Sequence, residues 1–177
     1  MIDLAADALD VMNSHLTSME KSLALLTEEQ IWRKLGANVN SVGNYCLHLA
    51  GNERQHFVTA IGGEPLIRER SAEFSATGGF TREELLAQLK DVRQRSQAIL
   101  TALSEEDLER EVLVPYRPED WSRMKPGQAP PAQAGETRTI RAILVRVASH
   151  YAYHAGEIVL LAKLLSATEE HISGLYH

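Results

Sequence analysis

His150 and His154 stand four residues apart inside the long apolar-periodic stretch Thr139–Leu165. Positions i and i+4 of an α-helix are offset by about 40°, so both imidazoles can converge on one ion while a third ligand comes from elsewhere. The best third ligand is His48, in a second helical segment, NSVGNYCLHLAGNERQHF (Asn40–Phe57). Three neutral imidazoles suit Zn²⁺, Ni²⁺ or another borderline divalent ion and leave coordination positions for water or substrate. The pair alone is a weak signal, because His150-Tyr-Ala-Tyr-His154 lacks the intervening Glu of a zincin and with it the usual metalloprotease base. Hydrogen-bonded interior histidines are the alternative.

The remaining candidates are weighed by position. His56 lies eight residues beyond His48, roughly 12 Å along a helix, too far to share the ion directly. His15 falls on an inward stripe and is equally compatible with a core histidine, while His171 and His177 belong to a polar tail and are peripheral. Cys46 sits two residues before His48, on the other side of the helix, and is expected to pack rather than ligate. Around the imidazoles, Glu157 extends the side of His154 and is the strongest supporting carboxylate, with a salt bridge to a nearby arginine as its alternative. Asn52 and Glu53 are further supporting candidates, following His48 on its own helix. Tyr151 and Tyr153 can pack or donate hydrogen bonds. No side chain is assigned as a catalytic acid or base.

Four amphipathic segments must position these groups. Leu4, Ala8, Val11, His15, Met19, Ser22 and Leu26 recur at helical spacing, predicting a first helix over about 3–26. Ser41 is placed to cap a helix from Val42, whose apolar face Val42, Tyr45, Leu49, Phe57 and Ile61 ends at Gly62-Gly63 and Pro65. Asn44, His48 and Asn52 make a polar stripe on it, facing either a pocket or water. FTREE at Phe80–Glu84 is a capping box with Phe80 set to staple Leu85, opening a third helix to about residue 102 that serves as scaffold and one wall of the pocket. The fourth begins around Thr137–Thr139, and its broad apolar surface (Ile140, Leu144, Val147, Tyr151, Ile158, Leu161, Leu165) suits a bundle and permits a dimer. Together these predict an all-α four-helix bundle, a single domain over residues 1–177, with the site between helices.

Residues 104–137 break the pattern, holding five of the six prolines and the apolar run Val112–Val114. A connection this long implies a lid, an oligomer contact or a mobile loop, with a short strand at Val112–Tyr116. Tyr116, Trp121 and Met124 are placed to cover the pocket or form an interface, or simply to pack on the bundle.

Composition fits this reading. The chain has 177 residues, 44% of them hydrophobic and 24% charged, enough for one core and a solvated surface. A formal charge of −6 without a basic run gives no reason to expect nucleic acid as a partner. The lone Cys46 excludes an internal disulfide and suits a reducing, cytoplasmic home. The acidic start MIDLAADALD is unlike a signal peptide, and no apolar run approaches the roughly 20 residues of a membrane span.

The segments Asn40–Phe57 and RTIRAILVRVASHYAYHAGEIVLLAKLL (Arg138–Leu165) resemble the two histidine-bearing helices of the DinB/YfiT-like superfamily. The likeness rests on the L-H-L-A turn at His48 and on H-x-x-x-H followed by Gly156, Glu157 and Ile158. The resemblance implies a four-helix bundle, often dimeric, with a divalent-metal site whose ligands map onto His48, His150 and His154. Some relatives resemble transferases or isomerases that use low-molecular-weight thiols such as bacillithiol or mycothiol. The expected activity is therefore metal-dependent S-transfer, in which the ion lowers the pKa of a bound thiol. The alternatives are a hydrolase using bound water, distinguished by turnover without thiol, and a non-catalytic metal-stabilised dimerisation or interaction module.

Overall fold

The computed structural model describes residues 3–128, 134–167 and 172. Four long helices make the bundle: α1 (Asp3–Ala24), α3 (Val42–Glu53), α5 (Arg82–Thr101) and α7 (Ile140–Ser166). Between them lie the short helices α2 (Glu28–Trp32), α4 (Arg70–Ser75) and α6 (Pro118–Met124), a 3₁₀ turn at Glu106–Glu109, and the strands β1 (Glu111–Pro115) and β2 (Gly135–Thr139). Among the described residues no helix is long and apolar enough to cross a membrane. His171 and His177, and residues 129–133 of the long connection, lie outside the described residues.

Capping fixes where the helices start. Thr27, Ser41 and Thr81 each close a reciprocal capping box, with Gln30, Asn44 and Glu84 respectively. Thr139 accepts the Ala142 N–H at the head of α7. The core is aliphatic: Met12, Leu23, Leu49, Leu85, Leu89, Leu100, Ile143, Leu144 and Ile158 are fully buried, with Phe57 and Tyr151 the large aromatics among them. Each such side chain contributes about 1.5–3 kcal/mol on burial.

Three details depart from the sequence expectation. Of the expected inward stripe, Ala8, Met19, Ser22 and Leu26 are buried, but Val11 is 43% exposed and His15 is half-buried, while Ala5, Leu9, Met12, Leu16 and Leu23 join the buried side. The buried face of α1 is thus wider than one stripe and takes in both rows. The short strand expected at Val112–Tyr116 is present as β1, one residue earlier; what the sequence reading lacked is its partner β2, paired antiparallel in the register Glu111↔Thr139 to Pro115↔Gly135. The residues just ahead of Ile140 are therefore strand, with Thr139 ending the ladder and capping the helix. Finally, the second long helix does not continue as α to Ile61. It widens into a π-helix over Arg54–Ile61, where the Gly62 N–H reaches Phe57 O, five residues back, at 2.9 Å.

An outward row on α7, Val145, Tyr153, Leu160 and Leu164, remains exposed.

Candidate metal centre

His48 is at the middle of α3, 3% exposed. One turn earlier, Asn44 is buried, its side-chain amide donating to the carbonyls of Glu73 (2.9 Å) and Ala76 (2.8 Å). The N-terminal part of the polar stripe thus faces inward and fastens α4 to α3. That fastening delivers the Glu73 carboxylate to His48, with His48 Nδ1 2.9 Å from Glu73 Oε2. Arg68 brackets the same carboxylate, Nε to Oε1 at 2.6 Å and Nη2 to Oε2 at 2.7 Å, and its Nη1 donates to Gln55 at 2.6 Å. With Nδ1 donating to Glu73, the lone pair of His48 is left on Nε2, which points toward α7.

Nε2 of His48 lies 2.9 Å from Nε2 of His150. One turn on, His154 places its Nδ1 2.5 Å from Glu157 Oε2. The donor atoms of His48, His150 and His154 all fall within 4.8 Å of one another. The structure thus brings the three sequence-selected histidines together. His150 is pushed down to about 3 by burial first, then by the neighbouring His154 and His48. Burial likewise lowers His48, against the pull of Glu73. These two rings stay neutral near pH 7, the state a cation requires of its ligands. Tyr45 packs on His154 with ring centroids 5.1 Å apart, and its hydroxyl is pushed up to about 12 by burial and by the adjoining Glu157.

The cluster opens onto a cavity of about 240 Å³. His48 and His150 line it together with Asn52, His56, Arg68, Arg70, Tyr116 and Arg146, and with Met124 from α6. The widened helix carries His56 into this wall without bringing it into the three-nitrogen cluster. Its Nδ1 donates to Asn52 O at 2.8 Å, and it is pushed down to about 4, chiefly by burial, with the charges of Arg68, Arg146 and Arg138 adding.

Other sequence candidates find different places. Glu157 meets His154 rather than an arginine. Glu53 is fully buried in the core, where Arg93 holds both its oxygens at 2.8 and 2.9 Å. Asn52 borders the cavity and braces His56 through its carbonyl. Cys46 is buried, its thiol pushed up to about 12 by desolvation. Helix α5 does not line the histidine-bordered cavity; its Gln88, Asp91 and Val92 border a separate groove of about 500 Å³. Of the residues on the long connection, Tyr116 and Met124 reach the cavity, whereas Trp121 packs behind Tyr116, ring centroids 6.3 Å apart. Glu73 and Arg68 were not anticipated. They sit in RERSAEFS, a segment without helical periodicity long enough to mark which face its carboxylate takes.

The donor set fits a divalent cation. Three nitrogens converge, two of the rings are braced by carboxylates on their far sides, and His48 keeps its cluster-facing lone pair.

Residues 7–166 match the family model described as mycothiol-S-transferase. Solved structures share the fold at low identity. A DinB-like protein of Bacillus subtilis, YjoA, superposes with a TM-score of 0.62 at 17% identity, covering 94% of this chain and 97% of that one. A DinB-like protein of Bacillus cereus gives 0.63 at 13% identity, with 96% and 95% covered. A conserved protein of Enterococcus faecalis gives 0.66 at 14%, with 95% and 100% covered. No curated protein matches the chain.

Proposed function

The chain belongs to the mycothiol-S-transferase family, and from that premise we propose that it is a divalent-metal-dependent S-transferase acting on a low-molecular-weight thiol, with His48, His150 and His154 as its metal ligands. The observation that carries this reading is the convergence of three imidazole nitrogens, within 4.8 Å, two of whose rings, His48 and His150, line a cavity. Zn²⁺ and Ni²⁺ are the ions best suited to three neutral imidazoles.

When bound, such an ion supplies a Lewis-acidic position that lowers the pKa of a thiol into the physiological range. The residues of the chain do the rest. Glu73 keeps the proton of His48 on Nδ1 and fixes the ring plane; Glu157 does the same for His154. Arg68 holds the Glu73 carboxyl group in place through two contacts. Tyr116 and Met124 restrict water at the cavity, where the electrophile is received. S-transfer then joins the thiol sulfur to an electrophilic carbon of that second substrate as the bond to its leaving group breaks, the leaving group (chloride, for 1-chloro-2,4-dinitrobenzene) departing with the electron pair and the thiol proton passing to solvent. No side chain is needed as the base that activates sulfur, consistent with a cluster in which every close carboxylate already braces an imidazole or an arginine.

The exposed row on α7 supports self-association through that helix, giving a homodimer.

The test is elemental analysis of tag-free protein beside His48→Ala, followed by turnover of 1-chloro-2,4-dinitrobenzene with mycothiol, bacillithiol or no thiol. About one ion per chain in the parent alone, and turnover that needs both ion and thiol, is the expected result. Thiol-independent hydrolysis, or full metal content in His48→Ala, overturns it.

A further inference from the structure

The cavity beside the cluster carries an unbalanced charge. Three arginines line it, and no acidic residue does. Arg68 is committed to Glu73 and Gln55. Among the described residues neither Arg70 nor Arg146 makes an ion pair within 4 Å; Arg70 lies over the Phe74 ring, 5.2 Å from its centroid, and also borders a neighbouring groove with Glu69, Glu119 and Asp120, while Arg146 faces the histidine-bordered cavity alone. The two come from different elements, α4 and α7, and face the same space. In a chain with a formal charge of −6, a cavity lined by three arginines and no carboxylate, one of them (Arg146) without an ion pair and one (Arg70) shared with an adjoining acidic groove, is a selective feature and not an average property of the surface. His56 on the same wall adds no anion, and Asn52 and Tyr116 add neutral hydrogen-bonding groups. At about 240 Å³ the cavity is below the roughly 300–1,000 Å³ of pockets for drug-sized ligands, so it suits a small molecule or one end of a larger one.

We propose that Arg70 and Arg146 form an oxyanion-recognition subsite, so that the molecule brought to the three-histidine cluster carries a carboxylate or phosphoryl group. The guanidinium fork matches either group, and charge-assisted hydrogen bonds are the strong ones in a partly dry site. The subsite gives orientation: with its charged end held by the two arginines, the ligand presents its other end to His48 and His150, which border the same cavity. This deepens the S-transferase reading, on which the assignment of the anion to a substrate rests. The binding itself depends only on the arginines.

The test is calorimetric titration of metal-free and Zn²⁺-loaded protein with succinate, its neutral diamide succinamide, and inorganic phosphate. A saturated acid cannot accept a thiol, so binding is read without turnover. Saturable succinate binding in the metal-free protein, weakened about tenfold or more in both Arg70→Gln and Arg146→Gln, with succinamide at least as weak, is the expected result. Arg146→Lys should recover part of it. Binding of phosphate instead of succinate, with the same arginine dependence, assigns the subsite to a phosphoryl group and equally upholds it. Absence of binding by both anions, or affinities unchanged in both Gln variants, overturns it. The two readings fail separately: if the chain takes no metal and turns over no thiol, the anion titration of the metal-free protein still stands, and if the arginines are inert, metal content and thiol turnover are untouched.

Discussion

Glu73→Gln separates what a brace does for a metal ligand from what it does for the fold. The substitution keeps the shape and one acceptor oxygen but removes the charge that faces both His48 Nδ1 and Arg68. Removing one partner of a buried ion pair costs roughly 3–5 kcal/mol. Here Arg68 retains the Gln55 acceptor and the His48 carbonyl, so the loss falls near the lower end, about 3 kcal/mol. For a domain of this size that lowers Tm by roughly 6–12 °C. The metal effect is additional. Loss of the carboxylate behind a ligating histidine typically weakens metal affinity by about 10–100-fold. Apo-protein melts measure the first quantity, and competition for Zn²⁺ against a chromophoric chelator, below the melting range, measures the second. Repeating the competition in a His48→Ala background isolates the route: if Glu73 acts through His48, Glu73→Gln adds nothing there. A variant that melts as early as expected yet binds Zn²⁺ within about threefold of the parent refutes the claim that this carboxylate tunes the site.

Gly51→Ala should reproduce both losses by steric means, because a methyl group there overlaps Glu73 Oε1 and presses on Arg68 Nε at 2.9 Å; melts and the same chelator competition show whether stability and affinity fall together. Cys46→Ser should leave metal stoichiometry unchanged while lowering stability by about 1–3 kcal/mol, the cost of a buried hydroxyl, and a lowered stoichiometry by elemental analysis would make the thiol a ligand after all. His56 has a folded-state pKa of about 4, below the ordinary 6.5, so the neutral form is favoured on folding. Its contribution is complete above about pH 6.5 and is lost as pH falls toward 4, since the unfolded chain takes the proton first. Denaturant titrations of metal-free protein should therefore show His56→Gln losing less stability than the parent over that window, by up to about 3 kcal/mol, and parallel acid limbs would contradict it.

The bundle and the three imidazoles are legible in the sequence because each depends on local signals. Capping boxes at Ser41 and Thr81 mark helix starts, and the i, i+4 pair His150 and His154 shares a face of α7 wherever that helix goes. The braces divide along the same line. Glu157 is one turn from His154 and could be found by spacing, whereas Glu73 is 25 residues from His48 and reaches it only because Asn44 binds the backbone of α4. Glu53 shows the opposite error: it neighbours Asn52 in sequence, but a rotation of about 100° per residue turns it into the core against Arg93. The π-helix at Arg54–Ile61 had no composition cue of its own, and on α1 the buried face takes in Leu9, Met12, Leu16 and Leu23 beside the expected Ala8, Met19 and Ser22.

The contact between His48 and His150 spans 102 residues of chain. Closing so long a loop is entropically unfavourable before the helices that carry its ends have docked, so the third nitrogen joins the other two late in folding. An unfolded or partly docked chain presents at most the weak pair on α7. On the proposed three-histidine site, an ion would therefore not nucleate the fold; it would select the chain that has already formed and stabilise it by mass action. Metal occupancy of that site would then report on the whole bundle, with substitutions far from the histidines lowering apparent loading in proportion to the native population they remove.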